Sequence, residues 1–97
     1  MPTMHFLTEL QEYLKEHGTI YTVRRFRYDK DTELVFIPGV GGCRRQFILE
    51  DIIKYDLKDY YTNSGFETLD DWWNKIVDIN PGLPPLHLYK VEVIRKL

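Results

Sequence analysis

Ile20-Tyr21-Thr22-Val23-Arg24-Arg25-Phe26-Arg27-Tyr28 is the stretch whose reading decides the fold. It is dense in β-branched and aromatic residues and reads as a strand. Alternation puts Ile20, Thr22, Arg24, Phe26 and Tyr28 on one face, and Tyr21, Val23, Arg25 and Arg27 on the other. Thr22 and Arg24 therefore share a face with apolar side chains. A partly buried arginine there needs an anion or a carboxylate partner. A planar guanidinium beside a hydroxyl suits a phosphate or a carbonyl-bearing base edge. An internal Asp or Glu would satisfy the same arginine.

On the N-terminal side, Phe6, Leu10, Tyr13, Leu14 and His17 recur at helical spacing, so residues 4–17 are predicted to form an amphipathic helix. Gly18 sits where a helix C-terminal glycine belongs. On the C-terminal side, Asp29-Lys30-Asp31 makes a turn into a second strand, Glu33–Ile37. That run is apolar almost throughout, which predicts a central strand or one covered on both faces. Pro38-Gly39-Val40-Gly41-Gly42 breaks it, and a third strand follows at about 43–50.

The next segment is acidic and helical. Asp56 can cap a short turn through Tyr60 and Tyr61 that ends at Asn63-Ser64-Gly65. Thr68-Leu69-Asp70-Asp71 then opens a helix, with Thr68 as cap and both Asp at the positive end. Its apolar face is Leu69, Trp72, Trp73, Ile76 and Val77, and Asn80-Pro81-Gly82 stops it. Pro84-Pro85 leads into a last strand, Leu86–Ile94. One α+β domain over residues 1–97 follows, with four β-rich runs in one curled, barrel-like sheet flanked by helices.

Composition narrows the function classes. The hydrophobic share of 43% and charged share of 29% are those of a globular chain. A single cysteine, Cys43, excludes an intramolecular disulfide and a cysteine zinc site. His5, His17 and His87 have no metal-ligand spacing, so no metal or cofactor is expected. No apolar run approaches the roughly 18 residues of a membrane span, and no signal-peptide build is evident, so a soluble cytoplasmic protein is expected. The net charge of −2 hides a segregation: residues 20–50 sum to +2 and residues 51–80 to −4. Five of the six arginines fall within 22 residues, which can present a local anion-binding face.

Other constellations carry less. Gly39-Val40-Gly41-Gly42 has strands on both sides and no following helix, so it reads as a β-connection and not as a phosphate loop. Asp70-Asp71 is explained by the helix dipole. Cys43 has no His or Asn partner that would make it a nucleophile. Trp72 and Trp73 are adjacent on a helix, so only one can point fully inward.

Leu14-Lys15-Glu16-His17-Gly18-Thr19-Ile20-Tyr21-Thr22-Val23-Arg24 resembles the opening of ASCH domains of the PUA-like superfamily, where a helix ends at a Gly and a strand carries Thr-x-Arg. Ser64-Gly65-Phe66-Glu67-Thr68-Leu69-Asp70-Asp71-Trp72-Trp73 is similar to the family's Gly-Phe segment and capped helix, and Leu88–Val93 to its final strand. The resemblance spans roughly residues 6–94. It implies a small β-barrel flanked by helices, with a cleft facing RNA or a modified nucleoside. Some members are amidohydrolases on acetylated cytidine, some nucleases, and others RNA-binding modules. Gly18, Thr22 and Arg24 match by position, Glu50 is the candidate glutamate, and the family's lysine position is Thr19.

Without that lysine the chain lacks the group best able to stabilise charge or move a proton, which favours binding over catalysis. The expected function is an RNA- or nucleotide-binding module with an arginine/threonine-lined cleft. Thr22, Arg24, Arg25, Arg44 and Arg45 would contact phosphate or base edges, and Tyr21, Tyr28 or Trp73 would stack. One alternative is a small hydrolase, an amidohydrolase or nuclease, using Thr22, Arg24 and Glu50. The other is a protein-interaction module docking through Tyr60, Tyr61 and Trp73.

Overall fold

The computed structural model describes residues 1–97 and places all four β-rich runs in one antiparallel sheet. The strands are β1 (Thr19–Arg24), β2 (Thr32–Ile37), β3 (Gly41–Leu49) and β4 (His87–Lys96), in the order β1-β4-β3-β2. Helix α1 (Thr8–His17) precedes the sheet; two 3₁₀ turns (Lys54–Asp59 and Tyr61–Asn63) and helix α2 (Leu69–Ile79) lie between β3 and β4. The class is α+β.

The sheet is not closed into a barrel, because β1 and β2 are both edges. Two local causes account for this. β1 stops at Arg24, opposite His87, and does not run on to Tyr28. Beyond His87 the partner chain is Leu86 and then Pro85 and Pro84, which have no N–H to extend the ladder. The outer edge of β2 is occupied by the N-terminus: the Met4 amide donates to the Phe36 carbonyl at 2.9 Å, and the Phe36 amide donates to the Pro2 carbonyl at 2.7 Å.

That pairing also shortens the first helix, which starts at Thr8 and not at residue 4. Met4 and Phe6 are buried while His5 and Leu7 are exposed, an extended alternation that helical spacing had absorbed. α1 ends as predicted, with Gly18 at φ +80° and its amide donating to the Leu14 carbonyl at 2.8 Å. Thr68 caps α2, its hydroxyl oxygen accepting from the Asp71 amide at 3.0 Å. Asp56 accepts from the Ile53 amide at 2.9 Å at the first 3₁₀ turn. In the glycine connection, a Cβ at Gly41 would stand 2.2 Å from the Arg95 carbonyl, so that glycine serves close β3–β4 packing.

Each face of the sheet has its own core. Ile20, Val35, Cys43 and Val91 pack under α1 with Leu14, Met4 and Phe6. Val23 and Leu88 pack on the other side with Leu57, Trp72, Ile76 and Leu86. β4 is the strand buried on both faces: His87, Leu88 and Tyr89 are consecutive and all buried. β2, predicted to be central or doubly covered, is instead an edge strand with Leu34 half exposed. The register sets Leu34 beside Arg44 and Arg44 beside Glu92, all exposed or half exposed, on the side where the Val23–Trp72 core does not reach.

Candidate functional site

Where β1 ends, the chain segment ahead of α1 and the body of α2 stand apart and leave a cleft of about 520 Å³. That lies within the roughly 300–1,000 Å³ of small-ligand pockets. β1 contributes Thr22, Val23 and Arg24 to it; Phe6, Phe66, Trp72 and Ile76 wall it; Arg25 and Lys75 stand at its mouth. No Asp or Glu lines it.

Arg24 is the centre of this arrangement. Its Nε donates to the Thr22 hydroxyl oxygen at 3.2 Å, and its Nη2 donates to the His5 carbonyl at 2.8 Å. Its guanidinium carbon lies 4.7 Å from the centroid of the Phe6 ring. The remaining N–H groups have no protein acceptor, and no carboxylate pairs with it. Burial lowers its pKa from the ordinary arginine value; the Tyr28 phenol opposes that shift and the charge of Arg45 adds to it. An arginine stays cationic at neutral pH even so, and a half-buried cation without a counter-charge attracts anions. Thr22 is buried and its hydroxyl accepts from Arg24 alone, so its own hydrogen can be donated into the cleft.

Arg27, Arg44 and Arg45 are engaged by carboxylates of the protein. Arg45, on the same face as Arg24, is 2% exposed and donates from Nη2 to Glu33 Oε1 at 2.6 Å. Its guanidinium stacks 3.5 Å from the Tyr28 ring centroid. Glu33 faces Arg45 because the β2–β3 hairpin sets them in register. Arg44 points to the opposite face, paired with Glu92 at 3.2 Å. Arg27 bonds Asp31 at 2.7 Å and covers the Phe47 ring. Two polar atoms inside this region, Arg45 Nε and His87 Nδ1, have no protein partner.

Of the expected stacking and catalytic groups, only Tyr28 joins Thr22 and Arg24. Tyr21 packs edge-on against Tyr60 at 4.9 Å in the α2-side core. Trp73 is half buried against the same core, whereas Trp72 is the buried one. Glu50 is exposed beyond the end of β3, and neither it nor Thr19 lines the cleft. Tyr28 does line it, and the Tyr89 hydroxyl holds the segment there, accepting from the Tyr28 amide at 3.0 Å and donating to the Phe26 carbonyl at 3.1 Å. Burial pushes the Cys43 thiol up to about 11, so it supplies no thiolate at neutral pH. No cluster of His, Cys, Asp or Glu is arranged to hold a metal ion, and no helix is long and apolar enough to cross a membrane.

Residue-level reading had missed Lys75, Trp72, His5, Phe6, Leu10 and Phe66 as cleft residues. For the helix the signal was available: Trp72, Lys75, Ile76 and Ile79 recur at spacings of one turn, so a cation sits on the apolar stripe. Comparison with family models, with curated proteins and with solved structures found no match to this chain.

Proposed function

We propose that the cleft at the end of β1 binds a nucleotide, free or within RNA, and that the chain is a PUA-like binding module related to ASCH domains. One observation carries the reading: Arg24, in the cleft, is held by a hydroxyl and a carbonyl but has no carboxylate of its own. A phosphate would complete its hydrogen bonds with the geometry a guanidinium favours. Phe6, Phe66 and Trp72 supply apolar walls against which a base can lie. The Thr22 hydroxyl adds a donor for a phosphate or base oxygen. The hydrolase alternative lacks its carboxylate here, since Glu50 is outside the cleft and no Asp or Glu lines it.

Titration of labelled single-stranded RNA and of nucleoside monophosphates against wild type, Arg24→Ala and Arg44→Ala tests the reading. A charge-assisted hydrogen bond contributes about 1.5–3 kcal/mol, so Arg24→Ala should weaken binding roughly tenfold to a hundredfold. Arg44→Ala, on the opposite face, should bind like wild type. Equal binding by all three proteins would contradict the proposal.

A further inference from the structure

We infer that the cleft takes one nucleoside phosphate at a time and offers no track for a continuous strand. This rests on the nucleotide reading and sharpens it by naming the ligand's size and charge. The free cations of the site are Arg24, Arg25 and Lys75, and all three converge on the same cleft. A polynucleotide needs further cations spaced along an exit path, because each phosphate it lays down must be neutralised in turn.

No such path leads away. Three arginines that could have formed it are already matched: Arg27 with Asp31, Arg44 with Glu92 and Arg45 with Glu33. The unpaired Arg95 stands opposite Gly42, at the end of β4 far from the His87–Arg24 pair. Past Phe66 and Lys75 the surface becomes a shallow acidic groove with Glu67, Asp71 and Asp78. A second phosphate placed there would meet like charge. The remaining rim is formed by Leu7, Phe26 and Ile79, each at least half exposed, which can cover a base but cannot neutralise a backbone. The unpaired cations nearest Arg24 are thus gathered in a cleft of about 520 Å³ that is bounded on one side by carboxylates and on the other by apolar side chains. That arrangement selects a compact anion with one planar apolar body.

The test is titration of the 97-residue chain with the four ribonucleoside monophosphates, the matching nucleosides, and mixed-sequence oligoribonucleotides of four and eight nucleotides, at two salt concentrations. At least one monophosphate should bind tenfold or more tightly than its nucleoside. The eight-mer should gain no more than about threefold over the four-mer. For the eight-mer, log K against log salt should have a slope of roughly −0.7, the value for one neutralised phosphate on a single strand. Lys75→Ala should weaken the monophosphate, while Lys54→Ala, whose lysine is paired with Asp70, should not. An affinity that climbs with length, with a slope steeper than about −2, would overturn the single-nucleotide inference and leave the RNA reading standing. Binding by neither monophosphates nor oligomers would overturn both.

Discussion

Arg24 and Arg45 project from the same face of one sheet into two differently built ends of it. Around Arg45 the sheet is sealed: Glu33 pairs with it across the hairpin, Tyr28 stacks on it, and 2% of its surface reaches solvent. Around Arg24 the sheet is open: β1 has no neighbour beyond it, and the protein supplies only a hydroxyl and a carbonyl as acceptors. A buried charge that brings its own counter-charge is part of the architecture. A half-buried charge without one is left able to take its counter-charge from outside, which is the basis of the proposed site.

The comparison breaks most sharply at Glu33. Glu33→Ala strands a buried guanidinium, which should cost about 3–5 kcal/mol of stability in urea denaturation, whereas Arg24→Ala should cost less than about 1 kcal/mol. A loss below about 1 kcal/mol for Glu33→Ala would mean that the sealed end does not depend on this pair. Next in size is the wall of the open end. Ile76 is 3% exposed and Ile76→Ala should cost about 2–5 kcal/mol, while the half-buried Leu69 on the same helix should cost less when truncated. Equal costs would place α2 in a different rotation about its axis.

Smaller effects sharpen the picture. Cys43 lies in the closed core with its thiol pKa raised to about 11 from an ordinary 9.0. The unfolded chain therefore ionises first, so the contribution is fully present below pH 9, and stability should fall as pH rises from there to about 11, by on the order of 1–3 kcal/mol. Denaturation midpoints across that window check the sign, with a thiol-blocking reagent expected to react only on unfolding. Last, Thr68→Ala removes the cap of α2 and should cost about 1 kcal/mol. It should leave Arg24 and ligand affinity untouched, which separates loss of helix stability from loss of the site.

How much of this was legible in the sequence depended on range. Alternation along residues 20–24 placed Thr22 and Arg24 together, and that pair is where the cleft lies. The Thr68 cap and Gly18 stop were equally local and came through. Arg44 and Arg45 illustrate the opposite: as neighbours they read as one basic pair, yet a strand sends them to opposite faces. Glu33 meets Arg45 across the β2–β3 hairpin, where the glycine-rich turn is visible in sequence but its register is not. Glu92 meets Arg44 through a β3–β4 register that no local turn announces. Phe6 fits helical spacing and strand alternation alike, and only the pairing of residues 2–4 with β2 decides between them. The open sheet had the same origin, since an early end to β1 depends on prolines some 60 residues later meeting it across the sheet.

The central claim is that Arg24, and not Arg44 or Arg45, awaits an anion. The most direct measurement is arginine Nε–H resonances in ¹⁵N-correlated NMR spectra during titration with a nucleoside monophosphate, assigned with the Arg24→Lys, Arg44→Lys and Arg45→Lys variants. The account predicts a saturable shift of the Arg24 resonance, with Arg45 and Arg44 unmoved. A titration in which binding shifts Arg44 or Arg45 while Arg24 stays in place would contradict it.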